Sequence, residues 1–412
     1  MRLRPTRDFV LGFVSAAVMV SGVFLVASRG GEPELEPGPL TVLSGRDDSA
    51  GGQRQQLVDI WNAAHPHNPA RIIPINGVAG DQYTEMLAQA RNPGIDVFNL
   101  DVTLTAAFAA GPDPLIRPIE RSWLAESPEQ AFMAGPLSTC RYEGKLWALP
   151  FNTDAGLLYY RKGLGAEPPF DWAKIKATAA RHPEFRAAYT AQLGPYEGLT
   201  VNTLEAVWAN GGDLSVGPDG TVRLDLATWN AAVHTLIPPR DGEKGIVHPD
   251  ALRSQESEST STFADGSVMF MRNWPVAYGA LEKIGFGVTA LPGPSVLGGQ
   301  NLAISALTKK PRAAQALAEF LTSAGSQRVL FDKGGFAATR AGVYADETVK
   351  ADRPYAPLLL TAIESARPRP ISRNYVAFSE TLSREVHAVL DGTQPDLPPD
   401  LAASLTQALR GR

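Results

Sequence analysis

The sequence of 412 residues contains a single cysteine, Cys140. One cysteine cannot close a disulfide within the chain, so the fold must be stable without a covalent cross-link. Cys140 also lies far from the start of the chain, which excludes a lipid-modified cysteine directly after a leader segment. We therefore expect Cys140 to be a small buried side chain rather than a nucleophile.

The sequence has no excess of basic residues and no catalytic motif. It contains 38 lysines and arginines and 43 aspartates and glutamates, whereas nucleic-acid-binding domains usually carry clustered positive charge. The patterns G-x-S-x-G, Walker A and G-x-G-x-x-G are missing. The closest histidines, His65 and His67, lack the helical i, i+4 spacing of zinc ligands. We predict a protein that is not an enzyme, needs no cofactor or metal and binds no nucleic acid.

The start of the chain has the composition of a membrane-targeting segment. Three arginines precede an uncharged apolar run over residues 9–27, close to the ~20 residues of a membrane-spanning helix. Residues 28–39, rich in Gly, Pro and Glu, predict a flexible spacer. A cleaved leader is the alternative, but Leu25 and Val26 fit a small-residue cleavage site poorly. We favour an N-terminal anchor, which predicts an extracytoplasmic, membrane-associated body.

The remaining ~370 residues exceed what one hydrophobic core usually organises, which favours two lobes. Apolar runs alternate with helical patterns along the first part of this body. Strands are predicted at 40–43, 71–75 and 95–98, and helices at 51–65 and 81–91. This βαβαβ order is typical of an α/β sheet with crossover helices.

Five motifs, in this order along the chain, carry a resemblance to a known family. They are I-D-V-F-N-L-D at 95–101, G-K-L-W-A-L-P at 144–150, F-A-D-G-S-V-M-F-M at 263–271, G-G-Q-N-L-A-I at 298–304 and F-L-T-S at 320–323. The body resembles the extracellular solute-binding proteins of bacterial ABC importers, of the type that binds sugars and oligosaccharides. The missing lipidated cysteine departs from that family and concerns only the mode of membrane attachment.

The resemblance implies an α/β, two-lobe, periplasmic-binding-protein-like fold with hinge crossings, preceded by the N-terminal apolar segment. Residues 1–39 would be segment and linker, 40–151 with 300–345 lobe one, and 152–299 with 346–412 lobe two. It also implies a ligand trapped between the lobes and handed to ABC permease subunits. Few tryptophans in the C-terminal third favour a mono- or disaccharide over a long glucan. The alternative is a membrane-anchored ligand sensor or enzyme that reuses this fold.

Polar residues at strand ends and crossings are candidates for the ligand site. Ser44 and Asp47 follow the first strand, and Asp101 follows the third, where open α/β sheets place ligand contacts. A helix-capping turn is the alternative for Asp47. Asn152 and Asp154 lie at the first crossing that the resemblance implies, where hinge hydrogen bonding is the alternative role.

The resemblance supplies the other candidates. Trp274 follows an apolar strand and precedes a proline, where the family places a stacking aromatic; a core position is the alternative. Trp208 stands before an N-G-G loop that can approach the ligand, with core packing equally open. Asn301 belongs to the return crossing, Arg340 to a G-x-x-P-x-R-like loop, and Tyr375 to a late segment that often reaches the cleft.

Other aromatic residues are interpreted as packing. Trp61, Trp172 and Trp229 lie on apolar helical faces. Adjacent tyrosines bind ferric iron in a different branch of binding proteins, which makes an iron site the alternative for Tyr159 and Tyr160. Because this pair follows Leu157 and Leu158 in an apolar run, we interpret it as part of a packed strand.

Overall fold

The computed structural model describes residues 34–47, 51–75, 79–239 and 245–412, and Pro37–Arg412 form one compact unit. The strands are β1 Leu40–Gly45, β2 Ala70–Ile75, β3 Val97–Asp101, β4 Ile116–Arg117, β5 Arg141–Tyr142, β6 Lys145–Leu146, β7 Ala148–Ala155, β8 Leu157–Arg161, β9 Ala187–Thr190, β10 Ser215–Val216, β11 Val222–Arg223, β12 Val268–Asn273, β13 Phe286–Ala290 and β14 Leu297–Ser305.

Helices cover much of the remaining chain. The α-helices are α1 Gln53–Ala64, α2 Ala79–Gln89, α3 Thr105–Ala109, α4 Pro128–Ala131, α5 Ala134–Thr139, α6 Trp172–Arg181, α7 Glu197–Ala209, α8 Leu226–His234, α9 Glu256–Ala264, α10 Ala277–Leu281, α11 Pro311–Leu321, α12 Ala324–Gly334, α13 Glu347–Asp352, α14 Ala356–Ser365, α15 Tyr375–Leu390 and α16 Leu401–Leu409. Short 3-10 helices cover Arg121–Trp123, Pro249–Arg253 and Ala341–Ala345.

The first sheet has the order β2-β1-β3-β14-β4, and β7 also pairs with β14. β1 is parallel to β2 and β3, whereas β14 is antiparallel to β3, β4 and β7. All six residues of β1 are buried, as expected for a central strand with both faces covered. The predicted strands and helices between residues 40 and 101 are therefore confirmed, with ends shifted by a few residues.

The second sheet has the order β13-β8-β12-β9. Only Gly156 separates β7 of the first sheet from β8 of the second, so the chain crosses between sheets there. It returns through residues 291–296, which join β13 to β14. Residues 366–374, which join α14 to α15, pair with this return: Leu297 N–H donates to Arg367 O at 2.9 Å. Neighbouring strand segments thus join the two sheets, the arrangement in which small backbone rotations reorient two lobes.

Two buried clusters cover the faces of the second sheet. One contains Leu158 and Phe270 and unites the sheet with α7, α8, α15 and α16. The other joins Tyr159 to Phe331 and Tyr344, so that residues beyond α12 pack on the opposite face. The predicted lobe boundaries stay a prediction.

Cys140 is buried. Burial raises the pKa of its thiol, as expected for an unreactive packing residue. Across the described ranges, no helix combines the length and apolar character that crossing a membrane requires. The predicted membrane segment at 9–27 lies outside the described residues.

Candidate functional site

A cavity of about 370 Å³ lies between the carboxyl end of β3 and the helices that cover the second sheet. Its first wall comes from α2, β3 and the turn that follows β3, and its second from the starts of α7 and α15 and the turn before α9. The lining residues are Gln82, Tyr83, Met86, Asn99, Asp101, Thr103, Leu104, Pro195, Tyr196, Glu197, Gln255, Tyr375, Val376, Ser379, Glu380 and Ser383. Residues of the first sheet and of the helices that cover the second sheet therefore face one cavity.

A buried carboxylate network forms the second wall. Glu197 accepts hydrogen bonds from Arg369 Nη1 at 2.5 Å, from the Tyr375 hydroxyl at 2.6 Å and from the Ser379 hydroxyl. Burial raises the pKa of Tyr375, and the adjacent Glu197 raises it further, so the hydroxyl stays protonated and donates. Arg369 also approaches Asp101 on the first wall, with Nη2 3.7 Å from Oδ1.

Two predicted residues, Asp101 and Tyr375, line this cavity. Asp101 ends β3, and its Oδ1 accepts hydrogen bonds from the Thr103 N–H at 2.9 Å and the Thr103 hydroxyl at 2.6 Å. Its side chain is 41% exposed. The strand-end argument thus places Asp101 at the edge of the cleft, with a carboxylate that a ligand can reach.

Ser44 does not line the cavity but binds a residue that does. Its hydroxyl accepts from Asn99 Nδ2 at 2.9 Å, and Asn99 lines the cavity. Gln300 Oε1 accepts from the same Nδ2 at 3.1 Å and from Arg54 Nη2 at 2.7 Å. This buried polar layer fixes the orientation of Asn99.

Asp47 has the capping role that the sequence left open. Its Oδ2 accepts the backbone N–H of Arg54, at 2.9 Å, in the first turn of α1. A carboxylate is favourable at this helix end, where backbone N–H groups lack partners within the helix.

Asn152, Asp154 and Trp274 come together where the chain crosses between the sheets. Asn152 Nδ2 donates to Asp154 Oδ2 at 3.4 Å. A methyl group on Gly298 would lie 3.2 Å from both Asp154 Cβ and the Trp274 ring. Burial raises the pKa of Asp154 to about 7, although the guanidinium groups of Arg54 and Arg272 act in the opposite direction.

The Trp274 ring covers a buried ion pair. The Arg272 guanidinium lies 3.8 Å from the ring centroid and donates to Glu205 at 2.8 and 2.7 Å. The indole N–H donates to Glu256 Oε1 at 3.3 Å. Glu256 follows Gln255, which lines the cavity, whereas Trp274 itself does not line it. The ring stays partly exposed.

The structure places the remaining three predicted residues elsewhere. Asn301 has no exposed surface, and its Nδ2 donates to Thr105 and Thr139 inside the first lobe. Trp208 packs in the core beside α8 and α15. Arg340 bonds to Thr322 O and Glu126, so it joins loops of the first lobe. None of the three lines the cavity in the described part of the chain.

Sequence reasoning missed most of the second wall. Glu197 begins an otherwise apolar helix, and Glu380 lies on the exposed side of α15. Neither position shows a local pattern for ligand binding. Arg369 was visible only as part of a basic, proline-rich stretch.

Within the described ranges of the chain, no group of histidine, cysteine or carboxylate side chains is arranged to hold a metal ion. Tyr159 is fully buried, and its hydroxyl donates to Trp274 O at 2.8 Å. Tyr160 packs against Phe170. The interpretation of this pair as a packed strand is confirmed.

Comparisons with known proteins agree with this architecture. The family model described as bacterial extracellular solute-binding protein matches residues 56–357. A Deinococcus radiodurans protein named probable ABC transporter-binding protein is 33% identical over 276 residues, which cover 60% of this chain and 64% of that protein. The match thus spans less than two thirds of that relative's length.

Solved structures share the whole fold. Maltose-bound MalE3 of T. maritima has a TM-score of 0.79 at 27% identity and covers 90% of this chain and 99% of its own. The GacH receptor of Streptomyces glaucescens GLA.O, solved unliganded and with acarbose, has a TM-score of 0.76 at 23% identity, covering 91% and 98%. These likenesses confirm the predicted α/β, two-lobe fold.

Proposed function

We propose that this chain, which belongs to the bacterial extracellular solute-binding protein family, captures a sugar in the cavity between its lobes. The family is one of binding proteins, so the prediction of a solute-binding protein rather than an enzyme is confirmed. The single observation that carries the proposal is a cavity of about 370 Å³ between the end of β3 in the first sheet and the helices that cover the second sheet. Small-molecule sites occupy about 300–1,000 Å³, and the lower part of that range suits a mono- or disaccharide.

The lining has the chemistry that a sugar requires. Sugar hydroxyls must form hydrogen bonds as they leave water, and their CH faces stack on aromatic rings. Asp101, Glu197 and Gln255 supply polar groups, while Tyr83 and Tyr196 supply aromatic ones. The likeness to a maltose-bound protein at 27% identity supports the same ligand class.

Binding would act through closure of the lobes. A ligand that bonds to Asp101 on the first wall and to Gln255 on the second stabilises the conformation in which both walls are in reach. Among the predicted site residues, we propose that Asp101, Asp154 and Trp274 contact the ligand or its immediate margin. Ser44, Asn152 and Tyr375 support the groups that do.

We propose that this binding step serves transport. The D. radiodurans relative is named for an ABC transporter, and we propose that this protein delivers its sugar to ABC permease subunits from outside the cytoplasm. The apolar run at 9–27 would then keep it at the membrane, in place of a lipidated cysteine.

A thermal-shift screen of the purified full-length chain tests the proposal. The panel contains mono- and disaccharides, polyols, amino acids and ferric citrate. A ligand that binds only the folded state raises the melting temperature as its concentration exceeds its dissociation constant. We expect a concentration-dependent rise with a sugar. A rise with an amino acid or ferric citrate alone would contradict the sugar assignment.

A further inference from the structure

The charge of the cavity wall has one sign. Aspartate and glutamate side chains line it at Asp101, Glu197 and Glu380, whereas no lysine, arginine or histidine does so among the described residues. Arg369 lies behind this surface and is shared between Glu197 and Asp101, at 2.5 and 3.7 Å. One guanidinium therefore faces two carboxylates, and Glu380 adds a third, exposed one.

Three hydroxyl donors of the wall are already in use within the protein. Thr103 donates to Asp101 at 2.6 Å, Tyr375 donates to Glu197 at 2.6 Å, and Ser379 donates to the other oxygen of Glu197. Donors that remain for a ligand belong to Tyr83 and Gln255, since the Tyr196 hydroxyl is buried. Most of the wall therefore offers a ligand acceptors rather than donors.

A buried amide adds an acceptor of fixed orientation. Asn99 lines the cavity with only 2% of its surface exposed. Its Nδ2 must face Gln300 Oε1, because that oxygen already accepts from Arg54. The carbonyl oxygen of Asn99 accepts no hydrogen bond within the described structure. A buried acceptor without a partner costs free energy. The oxygen has almost no exposed surface, so the Asn99 side chain has to become more exposed before a donor on the ligand recovers that cost.

We infer that the ligand of this cavity is a sugar that carries a protonated amino group, an inference that rests on the proposed sugar-binding function. A neutral hydroxyl donates one hydrogen, whereas an ammonium group donates three and carries the positive charge that the wall lacks. Charge-assisted hydrogen bonds to carboxylates are stronger than those between neutral groups. The faces of Tyr83 and Tyr196 attract a cation as well as CH groups.

Matched sugar pairs test this inference by calorimetric titration of the full-length chain at pH 7. Each set contains a neutral sugar, its 2-amino form and its N-acetylamino form, such as glucose, glucosamine and N-acetylglucosamine, and the corresponding disaccharides. The N-acetyl form keeps the substituent but removes the charge. We expect the amino form to bind at least tenfold more tightly than both others, and the difference to shrink in high salt.

A variant of the wall identifies the origin of the preference. Glu380→Gln removes one exposed carboxylate of the wall, so we expect the ratio of the affinities for the amino sugar and the neutral sugar to fall several-fold. Glu364→Gln, on the exposed side of α14, is the matched control and should change neither affinity.

Two results would contradict the inference in distinguishable ways. Equal or tighter binding of a neutral or N-acetylated sugar would overturn the amino-sugar assignment and leave the sugar-binding function standing. Failure of every saccharide in the sets, with a clear thermal shift for another class of solute, would overturn the proposed function and this inference together.

Discussion

Arg369 Nη2 lies 3.7 Å from Asp101 Oδ1, which joins the segment between α14 and α15 to the end of β3. The same guanidinium binds Glu197 at the start of α7. One buried arginine is therefore paired with carboxylates on both walls of the cavity. This relationship links the hinge region to the ligand site through side chains as well as backbone.

Arg369→Met tests the importance of this pairing. The substitution keeps most of the side-chain volume but leaves Glu197 in a buried position without its cation. Breaking a buried ion pair from one side typically costs about 3–5 kcal/mol. We expect a loss of that order in the free energy of unfolding, measured by denaturant titration. Arg367→Met is the control, since its exposed pair with Asp213 contributes about 1 kcal/mol or less. Equal losses in both variants would contradict the assignment.

Trp274→Ala separates a ligand-contacting tryptophan from a core one. Its ring is partly exposed and donates to Glu256, next to the cavity-lining Gln255, so we expect ligand affinity to fall at least tenfold with a small change in melting temperature. Trp229→Ala is the comparison, because that ring is fully buried and its loss should cost about 3–5 kcal/mol. A Trp274→Ala protein that unfolds as readily as the Trp229 variant would assign Trp274 to the core.

Gly299→Ala tests the close approach of β7 and β14 at the crossing. Gly299 has a φ of +125°, and an added Cβ would lie 2.2 Å from Asn152 O. The clash and the backbone strain should reduce the free energy of unfolding by about 1–3 kcal/mol. Gly279→Ala, in α10 with no atom near the new methyl group, should instead stabilise by about 0.5 kcal/mol. Chemical denaturation of both variants checks the opposite signs.

Asp154 should make the unliganded protein less stable as the pH rises. Its pKa is about 7 in the folded protein against an ordinary value of 3.8, so the folded state binds more protons between these values. The free energy of unfolding therefore falls as the pH rises from about 4 to 7. Asp154→Asn removes this effect. The difference in melting temperature, variant minus wild type, should therefore increase as the pH rises from 5 to 8. A constant difference across this range, as expected for the exposed control Asp113→Asn, would contradict the raised pKa.

The order of elements could be predicted because each strand and helix carries its own local pattern. The βαβαβ start appears within a few residues of its predicted bounds. Asp101 could be placed at the cleft because the end of a sheet strand is a local property of the sequence. The tertiary position of that edge relative to the second lobe is not local, which is why most of the second wall was missed.

The failures have physical causes at particular residues. Asn301 lies on a crossing strand as predicted, but its side chain points to Thr105 and Thr139 and is completely covered. Glu197 reaches the cavity only because α7 packs against α15, and Tyr375 and Ser379 on α15 donate to it. Contacts between residues so far apart in the chain leave no trace in the local sequence. The predicted anchor at 9–27 lies outside the described residues and stays a prediction.

The most direct test of the account is the affinity of the Asp101→Ala variant for the sugar identified in the thermal-shift screen, measured by calorimetric titration. Asp101 ends β3, lines the cavity and is exposed enough to reach a ligand. We predict a loss of at least tenfold, which is about 1.4 kcal/mol, with no change for the exposed control Asp113→Ala. Wild-type affinity in a folded Asp101→Ala protein would contradict binding between the lobes.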